Sequence, residues 1–516
     1  MKAILVDQNH ISRSSFLGLL FVLVFRLALH ALVYRAGFQS ITSDEFGRIV
    51  LAARWAQQPY WIWQGGWLPF GEYLFGSALF FFRELLWVPR YIAIFFGLIS
   101  IIFIYYLSIA LFSDQQIALL SSLLMAVNPI HLQLSSVPLT DMLYGALVIG
   151  MAWSFSLFLK SSDVKAAVLA AIFMAFANGF RFEAWVVSVV FSAFLLVNII
   201  SKVRQNGNNK KIFTLIGSLI LPWIFPSLWI ASNYLRSGQI LSSLEIVRVY
   251  KATWQAAGTD YFAYARAFFS TDPLLAILAP FGLLLLLKHG CQPRFKLWYL
   301  CLCTIPFLTF IALHRGQIEP AGIMFRYMGL YIFIFYPAEA NLIISSLRHF
   351  TTSERMNRTI LMLVVILFLI FQVNNNFLLI NNDQTSNGLE VGQTIRAIRK
   401  TRPEISQKPV MIELIYWEYV AIQVGANDVN GVLYDRDLDL EHRQSASWIL
   451  SDLEALRSCL ASAQVSFVIL KSPALQHTVE EEIGLVSSDI VNGYTFYPVP
   501  EAIITASPYT GSCPSR

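Results

Sequence analysis

The sequence is poor in charge. Asp, Glu, Lys and Arg make up 13% of the 516 residues, whereas 56% are hydrophobic and the mean hydropathy is +0.58. Soluble globular domains carry about 25% charged residues, so an ordinary soluble fold is excluded. Apolar runs of about 20 residues, the length that spans a bilayer as a helix, recur from position 16 to 376. The composition therefore predicts one large helical bundle in a membrane.

Cysteine is also scarce, and its spacing argues against a sulfur-bound metal. The five cysteines are Cys291, Cys301, Cys303, Cys459 and Cys513, and they lack the paired CxxC spacing of a zinc site. Cys459 and Cys513 both lie in the C-terminal tail, and we expect them to form a disulfide if that tail faces an oxidising compartment. The tail also lacks a phosphate-binding loop and a dinucleotide fingerprint.

The apolar runs predict a polytopic α-helical membrane protein with about eleven transmembrane helices. The expected spans are 16–36, 91–112, 116–130, 139–159, 165–180, 184–200, 213–235, 273–288, 297–313, 323–343 and 359–376. The first span contains Arg26 and His30, and we interpret it as a retained anchor. The segment 70–86 is apolar but contains three charged residues, so we interpret it as an interfacial helix; the alternative is a twelfth span.

The distribution of lysine and arginine predicts the orientation. Three basic loops, within 202–211, 288–296 and 348–358, fall on the same side as the N-terminus when eleven spans are counted. Cytoplasmic loops are enriched in Lys and Arg, so this side is predicted to be the cytoplasm, and the loops 37–90 and 236–272 are predicted to be external. The location we expect is a bacterial inner membrane, with the C-terminal tail extracytoplasmic.

The formal net charge of +5 conceals two regions of opposite sign. Residues 373–516 contain 17 of the 32 acidic and 10 of the 37 basic residues, so this tail carries −7 and the rest of the chain +12. The basic excess reflects the cytoplasmic loops, and no nucleic-acid partner is predicted.

The tail has a pattern typical of a soluble domain. Helical patterns at 389–400 and 445–462 alternate with strand-like runs at 409–414 and 465–470. We therefore predict a transmembrane domain over residues 1–376, with an external loop at 37–90, and a small extracytoplasmic α/β domain over 377–516.

Ionisable residues in an apolar chain are the best guides to function. Asp44 and Glu45 are adjacent, just after the first span. One interpretation is that these carboxylates cap a helix beginning near Phe46. The other is that a carboxylate at the membrane surface acts as a general base or metal ligand. The aromatic run that follows, which includes Trp67, favours function, because aromatic side chains stack on the apolar faces of sugars.

Short motifs follow in a set order along residues 16–345. They are Asp44-Glu45, Trp67-Leu-Pro-Phe-Gly-Glu-Tyr73, Arg90-Tyr91, Asn128-Pro129, Pro138-Leu-Thr-Asp141, Arg181-Phe-Glu183, Asn233-Tyr-Leu-Arg236-Ser-Gly238 and Arg326-Tyr327. This order resembles the membrane-embedded glycosyltransferases of the C superfamily, and within it the protein O-mannosyltransferase and aminoarabinose-transferase clan. The chain departs from the clan where relatives often show paired prolines, since Pro69 stands alone.

The resemblance implies transfer of a sugar from a polyprenyl-phosphate donor to a lipid, glycan or protein acceptor on the outer face of the membrane. Asp44 would act as the base, as the corresponding loop aspartate is thought to do in the family, and Glu45 is the weaker candidate. The leaving phosphate is already a stable anion, so the reaction needs a base and cations but little acid catalysis. A single displacement would invert the anomeric carbon.

The donor phosphate needs cationic partners, and a guanidinium engages two oxygens at once. Arg326, which precedes Tyr327, is the first candidate, and Arg236, Arg315 and Arg90 are further ones. The alternative for each arginine is a side chain that snorkels to the membrane interface.

Asp141, Arg181 and Glu183 lie at predicted external span boundaries, and we expect them to close the substrate site. The alternatives are helix capping by Asp141 and a structural ion pair between Arg181 and Glu183. His131 is a weaker candidate, because a lone histidine more often satisfies a backbone carbonyl.

No cluster has the spacing of a metal site, and no cofactor is required by this reading. A divalent cation, Mg²⁺ or Mn²⁺, between Asp44 and Asp141 is the one cofactor considered.

Three other functions remain open at this point. A lipid-linked polysaccharide polymerase or ligase would rely on arginines in a large external loop. A transporter or flippase would carry ionisable residues near span centres and broken, duplicated helices. A scaffold would use the tail for binding.

Overall fold

A computed structural model describes residues 12–61, 68–205, 208–240, 262–288, 293–314, 326–327, 329, 331–350, 359, 363, 386–415, 418–436 and 447–505. The chain divides into two compact units. The helical unit comprises residues 1–38, 60–73 and 90–382, and the α/β unit comprises 39–59, 74–89 and 383–516. This division differs from the predicted domains, because segments 39–59 and 74–89 belong with the C-terminal residues. The predicted boundary at 376 lies outside the described residues.

The helices up to residue 350 are as follows. They are α1 (Arg13–Arg35), α2 (Asp44–Gln57), α3 (Phe70–Phe82), α4 (Trp87–Phe112), α5 (Gln115–Val127), α6 (Pro129–Leu134), α7 (Thr140–Ser161), α8 (Val164–Phe180), α9 (Glu183–Arg204), α10 (Asn209–Ser237), α11 (Ala263–Thr271), α12 (Pro273–Lys288), α13 (Pro293–His314) and α14 (Tyr336–Phe350). Polar side chains cap the N-termini of several of these helices. The Asp114 carboxylate caps α5 by accepting from Gln116 N at 2.8 Å, and the Asn128 amide oxygen caps α6 by accepting from His131 N at 2.8 Å.

Among the described residues, six helices are long and apolar enough to cross a membrane: α1, α4, α7, α9, α10 and most of α13. Helices α11 and α12 together are a seventh candidate, bent by 99° at the break between them. Helices α5 and α8 occupy two predicted spans but have only 13 and 17 residues. Most of the predicted span 359–376 and part of 323–343 lie outside the described residues. A polytopic helical architecture is therefore confirmed, while the count of about eleven stays a prediction.

A buried polar cluster holds α1 against the turn that joins α5 to α7. Arg26, fully buried in α1, donates from Nη1 to the carbonyl of Ala126 at 2.6 Å and from Nη2 to Ser135 Oγ at 2.7 Å. Its Nη2 also lies 2.7 Å from His131 Nδ1, and His131 Nε2 lies 2.9 Å from Ser100 Oγ. Buried polar groups need such partners, so His131 has a structural role here, although its partners are side chains and not the expected backbone carbonyl.

A second buried polar cluster lies at the break between α11 and α12. The Asp272 carboxylate accepts from Asn128 Nδ2 at 3.1 Å, from Tyr336 Oη at 3.1 Å and from Leu275 N at 3.0 Å. Glu339, three residues after Tyr336 on α14, is also fully buried. Neither of its carboxylate oxygens has a hydrogen-bond partner within the described part of the chain.

The α/β unit is built on a five-stranded sheet within the described residues. Its C-terminal elements are α15 (Ser386–Thr401), β1 (Val410–Ile412), α16 (Glu418–Ala426), β2 (Val432–Tyr434), α17 (Trp448–Ser451), α18 (Leu453–Ser462), β3 (Phe467–Leu470), α19 (Pro473–Thr478), β4 (Asp489–Val491), β5 (Tyr494–Pro498) and α20 (Glu501–Thr505). The strand order is β2-β1-β3-β5-β4, with β2, β1 and β3 parallel and the last pairings antiparallel.

Apolar side chains cover both faces of this sheet. Val391 and Ile395 of α15 pack with Ile412 on one face, and Leu456 and Leu460 of α18 pack with the other. A sheet buried on both faces explains why β1 and β3 read as continuous apolar runs. The predicted helix 445–462 is interrupted at Asp452, which caps α18 by accepting from Ala455 N at 2.9 Å.

Cys459 is buried and disulfide-bonded, whereas Cys301 and Cys303 are free thiols. The expected partner, Cys513, lies outside the described residues, so the pairing stays a prediction.

Tight helix packing gives a test of the membrane architecture. A Cβ atom at Gly282 of α12 would overlap the carbonyl of Ala338 on α14, whereas a Cβ at Gly217 of α10 would have nothing within 4 Å. We expect Gly282→Ala to destabilise the protein by about 1–3 kcal/mol through overpacking, and Gly217→Ala to be neutral or slightly stabilising. Thermal unfolding of both variants in detergent measures the difference. Equal unfolding temperatures would contradict the contact between α12 and α14.

Candidate functional site

Four of the predicted site residues form one buried ionic network in the helical unit. The Asp141 carboxylate accepts from Arg181 Nη1 at 2.9 Å and from Arg326 Nε at 3.0 Å. Arg181 also makes a bidentate contact with Glu183, from Nε at 3.1 Å and from Nη2 at 2.7 Å. Bidentate contacts between guanidinium and carboxylate fix geometry as well as charge.

Helix ends position these side chains. Asp141 lies in the first turn of α7, where the N-cap residue Leu139 makes no side-chain cap. Asp141 is therefore not the N-cap residue, and both its oxygens contact arginines. Arg181 ends α8 and Glu183 begins α9, so the short turn between two apolar helices holds two charged residues side by side. The predicted ion pair between them is confirmed.

The network is balanced in charge and almost dry. Two arginines face two carboxylates, and the exposed fraction of the side chain is 0% for Asp141, 5% for Arg326, 8% for Arg181 and 18% for Glu183. The ring of Tyr327 lies 5.4 Å from Arg181 Cζ, a cation–π contact. Interactions of such buried charges are weakly screened, so the two carboxylates hold both guanidinium groups in fixed orientations.

The other predicted phosphate-binding residues are placed differently. Arg90, in the first turn of α4, is buried, and its Cζ lies 5.2 Å from the ring of Tyr34. Arg236 is exposed in the last turn of α10. Trp67 and Arg315 lie outside the described residues.

Asp44 and Glu45 begin α2 in the α/β unit, and the structure gives them different environments. Glu45 is fully buried, and its carboxylate accepts from Ile41 N, from Thr42 N at 3.1 Å and from Thr42 Oγ1 at 2.9 Å. Asp44 is half-buried, and its backbone N–H donates to Thr42 Oγ1 at 3.2 Å. Glu45 therefore holds the loop before α2, and its role as the weaker candidate for the base stays a prediction.

The environment of Glu45 also changes its acidity. Burial raises the pKa of the Glu45 carboxyl from 4.5 to about 7, and the hydrogen bonds from Thr42 and Ile41 oppose this rise only in part. The α2 helix thus starts with a partly protonated, buried carboxyl next to the half-buried Asp44.

Across the described residues, no three His, Cys, Asp or Glu side chains are close enough to hold a metal ion. The divalent cation considered from the sequence stays a prediction.

Sequence reasoning missed two sets of contacts. One is the Arg26–His131 cluster, for which an arginine inside an apolar span was the available signal. The other is a set of contacts in the α/β unit. From its charges, segment 70–86 was interpreted only as a helix at the membrane interface, and no contact with the C-terminal residues was predicted. Glu84 in that segment receives a bidentate contact from Arg396, at 3.1 and 2.6 Å.

Known proteins with this architecture were found by sequence and by structure. Residues 68–230 match the family model of dolichyl-phosphate-mannose-protein mannosyltransferase. ArnT from Cupriavidus metallidurans bound to undecaprenyl phosphate superposes with a TM-score of 0.61 at 10% identity, over 94% of this chain and 99% of that one. Its apo state gives a TM-score of 0.60 at 11% identity, again over 94% and 99%. No curated protein sequence matches the chain.

The chain has the fold of the ArnT structures. The apo oligosaccharyltransferase of Archaeoglobus fulgidus is also similar to it, with a TM-score of 0.52 at 12% identity over 89% of this chain and 70% of that one. The resemblance deduced from the motif order is thus confirmed, and the protein is an integral multi-pass membrane protein. The family model matches residues 68–230, which include Asp141, Arg181 and Glu183 of the buried network. Arg326, the fourth member, lies beyond the matched residues.

The burial of Glu45 predicts that the stability of the protein depends on pH. Because the folded state holds this proton more tightly than the unfolded chain, the stability it contributes is fully present below pH 4.5 and is lost as the pH rises to about 7. In the wild type, this loss lowers the free energy of unfolding by roughly 3 kcal/mol between pH 4.5 and 8. We expect the loss to be absent in Glu45→Gln. Thermal unfolding in detergent across this range is the measurement.

Glu404→Gln, at an exposed carboxylate of the α/β unit, is the matched control. An unchanged pH dependence in Glu45→Gln would show that the Glu45 carboxyl titrates normally.

Proposed function

We propose that the protein is a glycosyltransferase that moves a sugar from a polyprenyl-phosphate donor to a lipid, glycan or protein acceptor. The observation that carries the proposal is the buried network of Asp141, Arg181, Glu183 and Arg326 in a chain with the fold of ArnT. The ArnT structure that supports this comparison is bound to undecaprenyl phosphate. An anion at the end of a lipid is the kind of ligand that two buried guanidinium groups would bind.

The network would hold the donor phosphate through Arg326 and Arg181. A sugar–phosphate–polyprenyl diester carries one negative charge, and the departing phosphate gains a second one as the anomeric bond breaks. Oriented cations in a dry site stabilise this gain more than they stabilise the ground state. Asp141, which contacts both arginines, would keep the guanidinium planes fixed while the charge develops.

Asp44 would act as the base. In the proposed step, the acceptor hydroxyl or amine attacks the anomeric carbon, its proton passes to the Asp44 carboxylate, and the bond from that carbon to the phosphate oxygen breaks with its electrons on the phosphate. This single displacement inverts the anomeric configuration. Asp44 lies in the first turn of α2, and Glu45 beside it holds the loop that precedes the helix. We place this chemistry on the outer face of a bacterial inner membrane, as the basic loops predict.

The role of Asp44 is tested by transfer of radiolabelled sugar from a panel of polyprenyl-phosphate sugars by the purified protein in nanodiscs. We expect Asp44→Asn to lower kcat by about two orders of magnitude or more with little change in the KM for the donor, because a general base acts in the transition state. Asp489→Asn, at an exposed aspartate of the α/β unit, is the control and should transfer normally. Equal turnover by Asp44→Asn would remove Asp44 from the mechanism.

The role of the arginines predicts an effect on both kinetic constants. We expect Arg326→Gln to raise the KM for the donor by about 10- to 100-fold, which corresponds to the loss of a charge-assisted hydrogen bond, and to lower kcat as well, because the lost cation also stabilises the departing phosphate. Arg204→Gln, at an exposed arginine that ends α9, should leave the KM unchanged. Binding of the polyprenyl phosphate alone, measured by the rise in unfolding temperature, separates lost binding from lost chemistry.

One observation favours the transporter alternative. Transporters place ionisable residues beside broken helices, and Asp272 and Glu339 are fully buried near the 99° bend between α11 and α12. If transport is the function, proteoliposomes containing the wild type should move a labelled polyprenyl-phosphate sugar between leaflets, and Glu339→Gln should not. Sugar transfer without lipid movement would rule this alternative out.

A further inference from the structure

Helix α2, which bears Asp44, is packed on several sides inside the α/β unit. Its residues Phe46, Ile49 and Ala52 are almost completely buried. A Cβ atom at Gly76 of α3 would come within 2.8 Å of the Ala52 carbonyl and within 2.5 Å of the Trp55 ring, so α3 and α2 are in direct contact. Helix α16 packs on α2 as well. The orientation of α2 thus depends on α3 and α16.

The C-terminal residues bind the segment that follows α3. Asn427, just after α16, accepts from Leu85 N at 2.8 Å and donates from Nδ2 to the carbonyl of Arg83 at 3.1 Å. Arg396 of α15 makes its bidentate contact with Glu84 between them. Three consecutive residues, 83–85, are therefore held by two side chains from the C-terminal part of the chain.

The same part of the chain also holds the far end of α2. Asn430 donates from Nδ2 to Gln57 Oε1 at 2.9 Å, and Gln57 is the last residue of that helix. Close packing of α15 on α16 makes this support rigid, because Gly392 and Gly425 bring the two backbones together and a Cβ at either position would overlap the other helix. Arg396 thus contacts Glu84 from this helix pair, while Asn427 and Asn430 make their contacts from the turn that directly follows α16.

We propose that Arg396 and Asn427 are positioning residues for the transfer reaction, which hold segment 83–85 and through α3 fix the helix that carries Asp44. This inference rests on the proposed function and deepens it, because it gives the C-terminal residues a role in the transfer reaction. A displacement of about 1 Å in a catalytic group lowers rates strongly, so loosening this support lowers turnover without removing any group that contacts the substrate.

The test is a charge-reversal cycle in the full-length protein. Arg396→Glu places two carboxylates against each other, Glu84→Arg places two guanidinium groups there, and the double variant restores an ion pair of opposite polarity. We expect each single variant to lower kcat about tenfold with an unchanged KM for the donor, and the double variant to recover most of the loss. A partly exposed ion pair stabilises a fold little, so all three variants should fold.

Two further variants refine the test. Asn427→Gly keeps a residue that tolerates the positive φ of 56° but removes both hydrogen bonds, and it should lower kcat in the same way. Arg402→Glu, at an exposed arginine just beyond α15, makes the same charge change without a partner on segment 74–89 and should transfer normally.

Hydrogen exchange of the α2 amides is a second measurement that needs no activity. Faster exchange in α2 of Arg396→Glu, restored in the double variant, supports the inference. Unchanged α2 exchange and kcat in both single variants would overturn it. If the wild type transfers no sugar from any donor, the proposed function fails, and α2 exchange in the charge-reversal cycle then decides alone whether these residues position the helix.

Discussion

The cost of placing charge where water is absent organises the helical unit. Asp141 could not remain ionised in that environment without cations beside it, and Arg181 and Arg326 could not remain there without Asp141. The three side chains come from the start of α7, the end of α8 and the stretch before α14, so their pairing ties together parts of the chain that are up to 185 residues apart. The same constraint explains the Arg26 cluster, where neutral acceptors take the place of a carboxylate.

A balanced network of this kind serves binding better than stability. A buried ion pair adds little net stability compared with apolar packing, because desolvation offsets the attraction between the charges. Its retention in a helix-rich membrane unit is easier to understand if the charges meet a ligand. Guanidinium groups keep their charge at any physiological pH, so the proposed phosphate site would not depend on pH in that range. The α/β unit follows a different principle, because apolar side chains bury its sheet on both faces.

The sequence predicted the membrane class and named all four members of the ionic network, because apolar runs and charged residues at span ends are visible without a structure. Asp141, Arg181, Glu183 and Arg326 were all named from their positions at span ends, and they do meet. The division into units was not predictable in the same way. Segments 39–59 and 74–89 are short and lie between apolar helices, and only long-range contacts such as that of Glu84 with Arg396 show that they belong with residues after 383. Asp44 and Glu45 are adjacent in sequence, and only the structure shows that Glu45 is fully buried while Asp44 is half-buried.

Asn427 and Arg396 hold the same turn by different means, and the difference has an evolutionary consequence. Asn427 binds only main-chain atoms, the N–H of Leu85 and the carbonyl of Arg83. Every amino acid except proline offers these atoms, so positions 83 and 85 are free to drift among relatives without loss of the contact. The pair of Arg396 and Glu84 depends on side-chain charge, so a change at one position selects for a compensating change at the other. Covariation between 84 and 396, with an invariant asparagine at 427, is the record this arrangement would leave in a set of related sequences.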